Sequence, residues 1–148
     1  MSTQNDQLAQ NNVLIELHVP DFRVAKDFYG KLGFRTVWER KPEGSKGYLV
    51  MKMEDNILCF WGGNSEIYTH PYFRQWSRNT KRGYATEIVV MVKNIESYYK
   101  SIQGLVNIVE DLKKQPWGLK DFRIEDSFGF YIRVTSYHNI LDSKYSVS

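Results

Sequence analysis

The residues of this sequence with chemistry to offer are two acid–base pairings and a set of indoles. Glu16 and His18 stand two apart in VLIELHV, so an extended backbone places them on one side. Together they are an acid–base group or a polar ligand anchor; alone, His18 is an ordinary strand-end histidine. Glu87 and Arg133 fall near the two ends of the second half of the chain. As a pair they could fix a polar ligand group, or simply tie two strands together. His70 and His138 have no companion, and the three histidines show neither HxH nor HxxxH spacing. Cys59 precedes Phe60 and Trp61 with no base beside it, which suits a packed thiol better than a nucleophile. Trp38, Trp61, Trp76 and Trp117 offer flat apolar surface to a planar ligand, or packing for a core or a dimer interface.

The elements that must position these groups repeat once. Val13 to Val19 alternates as a strand, with Leu14, Glu16 and His18 on one face. Pro20 stops it and Asp21 is a good N-cap. Phe22, Ala25, Phe28, Tyr29 and Leu32 then recur at helical spacing, and Gly33 ends the helix. Strands are expected over Phe34 to Arg40, Tyr48 to Met53 and Asn56 to Trp61, with a turn at Lys41 to Lys46. The second half repeats the order: a strand over Thr86 to Val92, a helix capped by Asn94 and ended by Gly104, and a strand over Val106 to Leu112. A hairpin closes it, from Asp121 through the Ser127-Phe128-Gly129 turn to Val134, with Tyr131 and Arg133 on its last strand.

This gives an α+β chain of two βαβββ repeats, with eight strands in a curved mixed sheet and both helices outside. The divisions are an arm at 1–12, a first module at 13–61, a connector at 62–83, a second module at 84–136 and a tail at 137–148. The connector carries Tyr68, Tyr72, Phe73 and Trp76, more rings than a solvated linker needs, so it is expected to pack over something.

Composition narrows the function classes. At 148 residues with 42% apolar and 15% aromatic content there is material for one folded domain. A net charge of +3, with its Lys and Arg scattered, gives no case for nucleic acid. The single cysteine excludes an internal disulfide. No apolar run has the length of a membrane span, and the polar MSTQNDQLAQNN lacks a signal core, so a cytoplasmic location is expected.

Four stretches, VPDFRVAKDFYGKLGF, GYLVMKMEDNILCFW, VVMVKNIESYYKSI and KQPWGLKDFRIEDSFGF, together resemble the vicinal oxygen chelate superfamily of glyoxalases, extradiol dioxygenases and bleomycin-resistance proteins. The last stretch is similar to the hairpin of the bleomycin-resistance branch, with Asp126-Ser127-Phe128-Gly129-Phe130 where that branch has Asp-Pro-x-Gly-Asn. The resemblance implies a homodimer and a trough on the inner face. In metal-using members it also implies ligands at positions occupied here by Leu14, Cys59, Glu87 and Arg133. Leucine is no ligand and a guanidinium repels a cation, so neither a metal nor another cofactor is expected.

The implied activity is binding of a small organic molecule, such as an antibiotic, in a trough lined by Glu16, His18, Trp38, Cys59, Trp61, Glu87, Trp117, Tyr131 and Arg133. The net positive charge counts against cationic bleomycin itself. Two rival readings are a metal-dependent lyase, isomerase or dioxygenase with its ligands elsewhere, and a non-catalytic domain whose aromatic connector docks a protein.

Overall fold

A computed structural model of the chain describes residues 11–41, 47–62 and 66–145. Residues 1–10 of the expected arm and 42–46 of the expected turn lie outside them. The first module runs β1 (Glu16–His18), α1 (Phe22–Lys31), β2 (Arg35–Arg40), β3 (Tyr48–Met53) and β4 (Asn56–Trp61). The second runs β5 (Glu87–Val92), α2 (Ile95–Ile102), β6 (Ile108–Lys114), β7 (Lys120–Glu125) and β8 (Tyr131–Ser136). The connector contains 3₁₀ turns at Glu66–Tyr68 and Phe73–Gln75.

The helices start where the caps put them. The Asp21 carboxylate accepts from the Arg23 amide at 2.8 Å, and the Asn94 side chain accepts from the Ser97 amide at 3.2 Å. Each satisfies an amide that the first helical turn leaves without a partner. Phe22, Ala25, Phe28 and Tyr29 are the buried stripe of α1. They meet Leu17, Leu49, Met51 and Phe60 from the strands in one core cluster, which continues into Val90, Phe122, Ile124 and Ile132 of the second module.

The eight strands form two mixed sheets of four, ordered β1-β4-β3-β2 and β5-β8-β7-β6. Among the described residues no ladder joins one sheet to the other. Side chains do so instead. Asn56 donates to the Met91 carbonyl (2.7 Å) and accepts from the Met91 amide (3.0 Å). Tyr98 of α2 donates to the Leu32 carbonyl at 2.6 Å, and Tyr29 of α1 donates to Asp126 in the β7–β8 turn at 2.6 Å.

The first strand is shorter than its alternation suggests. Val13, Leu14 and Ile15 lie outside the ladder and are 65–67% exposed. Among the described residues β1 pairs with β4 alone, and that pairing begins at Glu16 opposite Cys59. No described helix is long and apolar enough to cross a membrane.

Candidate functional site

The helix-free face of the first sheet carries Glu16, His18, Cys59 and Trp61 together, because β1 and β4 pair Glu16 with Cys59 and His18 with Trp61. Tyr48 stands opposite Trp61 on β3. Its hydroxyl donates to Glu16 at 2.5 Å. Burial first, and then that bond, push the Tyr48 phenol well above its ordinary value, so it stays a donor at neutral pH. His18 is buried, edge-on to Trp61 with ring centres 4.6 Å apart.

The connector lies over this face. Its rings run from Trp61 through His70 (6.0 Å) to Phe73 (4.9 Å), and Tyr72 reaches Trp76 (5.3 Å). Arg82 donates from Nε to His18 Nδ1 at 3.2 Å, so that ring nitrogen acts as an acceptor. A cavity of about 490 Å³ remains between connector and sheet, walled by Glu16, His18, Trp61, Phe73, Trp76 and Arg82 among others. A wider cleft of about 920 Å³ shares Trp76, Tyr84 and Thr86 with it and reaches Glu87, Glu125 and Tyr131 on the second module.

The second sheet presents charge rather than rings. Glu87 Oε2 accepts from Arg123 Nε at 3.2 Å, and Glu87 Oε1 lies 3.4 Å from Arg133 Nε, an ion pair without hydrogen-bond geometry. Arg133 also lies 3.7 Å from buried Asp121, and Arg123 3.5 Å from Glu110. The Arg133 guanidinium stands 5.8 Å from the Trp117 ring. We expect Glu87→Gln to leave two guanidiniums side by side and to lower the unfolding free energy by about 1–2 kcal/mol, since the pairs are partly solvated. Urea denaturation checks this, and a change near zero would mean that solvent already screens the network.

The residues singled out from sequence therefore divide. Glu16, His18 and Trp61 line the 490 Å³ cavity, while Glu87 and Tyr131 line the larger cleft. Trp38 and Trp117 line neither. Strand order explains the first: β2 is the edge opposite β1, so Trp38 stacks on Tyr48 at 5.5 Å in the open part of the face. Trp117 lies in the turn between β6 and β7, on the far side of its sheet from β5. The sequence reading missed Tyr48, Arg82, Arg123 and Asp121 as site residues. Alternation along Asp121-Phe122-Arg123 was the available signal for the last two.

Residues 12–134 match the glyoxalase/bleomycin resistance protein/dioxygenase superfamily. The chain belongs to this superfamily. No curated protein matches its sequence closely enough to be informative. Among solved structures it is similar to TioX from Micromonospora sp. ML1, with 19% identity and TM-score 0.64 over 87% of this chain and all of that one. It is also similar to a bleomycin-binding protein complexed with bleomycin, with 17% identity and TM-score 0.58 over 87% of this chain and 100% of the other. A third is a bleomycin resistance determinant encoded on the transposon Tn5, with 16% identity and TM-score 0.60 over 87% and 99%. At such identities the likeness is one of fold.

Membership in the superfamily poses the question of a metal. Of the four positions the resemblance indicates, Leu14, Cys59 and Glu87 line one cleft of about 320 Å³ between β1, β4 and β5. They do not fit a divalent cation. Leu14 has no donor atom, and both Glu87 oxygens face guanidinium groups. Among the described residues no group of three or more His, Cys, Asp or Glu is arranged to hold a metal.

Proposed function

We propose that this superfamily member binds a small organic molecule without a metal, and that binding itself, sequestering an antibiotic or another toxic compound, is its function. The observation that carries this reading is the 490 Å³ cavity under the connector, of a size for a small ligand and walled by Trp61, Phe73 and Trp76. Planar side chains around a preformed cavity bind flat apolar molecules by burying both partners' surface. A structural neighbour that holds bleomycin supports sequestration as the mechanism. The ion pairs on Glu87 support metal independence. A homodimer belongs to the same reading, since the exposed Val13-Leu14-Ile15 strip is apolar surface that a second copy would cover.

The test is native mass spectrometry and metal analysis of the purified protein, followed by binding measurements before and after dialysis against a chelator. A copurifying or titrated organic ligand should bind equally well after chelation. Trp61→Ala should weaken it about tenfold or more, as the loss of a central aromatic contact does. Stoichiometric zinc, nickel, iron or manganese, or binding abolished by chelator, would overturn the reading.

A further inference from the structure

The cations around the connector are not equivalent. Lys81 is bound to Glu125 at 2.5 Å, and Arg123 and Arg133 share Glu87. Among the described residues Arg82 contacts no carboxylate. Its partners are His18 Nδ1, which takes Nε, and the Tyr68 ring, whose centre is 6.0 Å from the guanidinium carbon. Among the described residues neither Nη group has a protein acceptor, and both belong to a half-buried side chain on the wall of a cavity. Neither Nη group is sealed from water, so an anion entering the cavity can reach both. The Arg78 guanidinium stands 5.1 Å from the Tyr68 ring centre and adds positive charge nearby. Glu16, the acidic residue on this wall, is engaged by the Tyr48 hydroxyl.

From this we infer that the cavity's ligand is an anion: a flat apolar body carrying a carboxylate or comparable oxyanion, which Arg82 receives through its two Nη groups. Buried His18 is the positioning residue. By accepting at Nε it turns the open fork of the guanidinium away from the sheet. Trp61, Phe73 and Trp76 take the apolar body. The inference rests on reading this cavity as the binding site and adds the charge of what enters it.

The experiment titrates the full chain with three probes of one shape: 2-naphthoate, 2-naphthamide and 2-naphthylmethylammonium. Calorimetry gives affinity, and the Arg82 Nε–H resonance reports the contact. Naphthoate should bind about tenfold or more tighter than the amide, the typical gain of a charge-assisted bond, and should shift the Arg82 resonance. Arg82→Gln should erase that preference, with circular dichroism and thermal unfolding showing that the variant is folded; Arg82→Lys should restore part of it. Equal binding of naphthoate and amide, or preference for the ammonium, overturns the anion assignment. If Trp61→Ala still weakens amide binding about tenfold or more in that case, the cavity reading stands. If none of the three probes binds the native protein, both fail.

Discussion

Replacing Asp126 with Ala is expected to lower the unfolding free energy by about 3–5 kcal/mol, because three donors lose their acceptor at once. Asp126 is 7% exposed. Its Oδ2 accepts from the Tyr29 hydroxyl at 2.6 Å, and its Oδ1 accepts from the amides of Phe128 and Phe130 at 2.8 Å each. The side chain thus closes the β7–β8 turn and fastens it to the helix of the other module. The bleomycin-resistance motif has Asp-Pro-x-Gly-Asn here, and this chain keeps the two residues the turn needs. Asp accepts the amides, and Gly129 takes φ +95°, which a side chain would strain. Thermal or urea denaturation of Asp126→Ala checks the magnitude. A loss under 1 kcal/mol would mean that water replaces the carboxylate.

The same residue gives a pH dependence with a defined sign. Burial pushes the Asp126 carboxyl above its ordinary value of 3.8, and the bonds from Tyr29, Phe130 and Phe128 only partly offset it. The folded state then holds the proton more tightly than the unfolded state. Its contribution is full below the unfolded value and is lost as pH rises through the raised folded value. Asp126→Asn removes that titration and keeps the shape. The stability of the native protein relative to Asp126→Asn should fall as pH climbs from below 3.8. A difference that grows instead would show that the hydrogen bonds outweigh burial.

What the sequence discloses and what it withholds follow from what alternation encodes. Helix limits are legible because Asp21 and Asn94 are local signals with local partners. The faces of the strands are legible too. Glu16, His18, Cys59 and Trp61 share a face in the structure as their parity requires, and Glu87 does meet Arg133. Alternation does not encode which strands are neighbours. Four tryptophans read as one lining set are spread over both modules, because β2 lies at an outer edge and Trp117 at the far side of its sheet. Arg82 was invisible for a related reason. A basic residue in an irregular connector has no periodicity, and only the folded chain places it against His18, 64 residues away.

Gly83→Ala should destabilise the protein by about 1–3 kcal/mol, the usual cost of forcing volume into a packed site, and should disrupt the cavity. A Cβ at Gly83 would lie 2.8 Å from the Gly129 carbonyl oxygen and 2.9 Å from the Phe130 Cα. Both are backbone atoms of the turn that Asp126 and Tyr29 hold in place, so the turn is poorly able to retreat. The connector must move instead. Two residues on, Ala85 already sits at φ +60°, which leaves little slack in that direction. Neighbours on either side of Gly83 wall both clefts, and Arg82 precedes it directly, so the displacement reaches the cavity walls as well as the fold. Gly30→Ala supplies the opposite sign. That glycine lies within α1, its Cβ would meet nothing within 4 Å, and the change should stabilise by about 0.5–1 kcal/mol. Denaturation of both variants, with ligand titration of each, separates the close approach at Gly83 from any general effect of losing a glycine. Equal stability for the two would mean that the connector is not held against the β7–β8 turn, and Arg82 would then lose the support that aims it into the cavity.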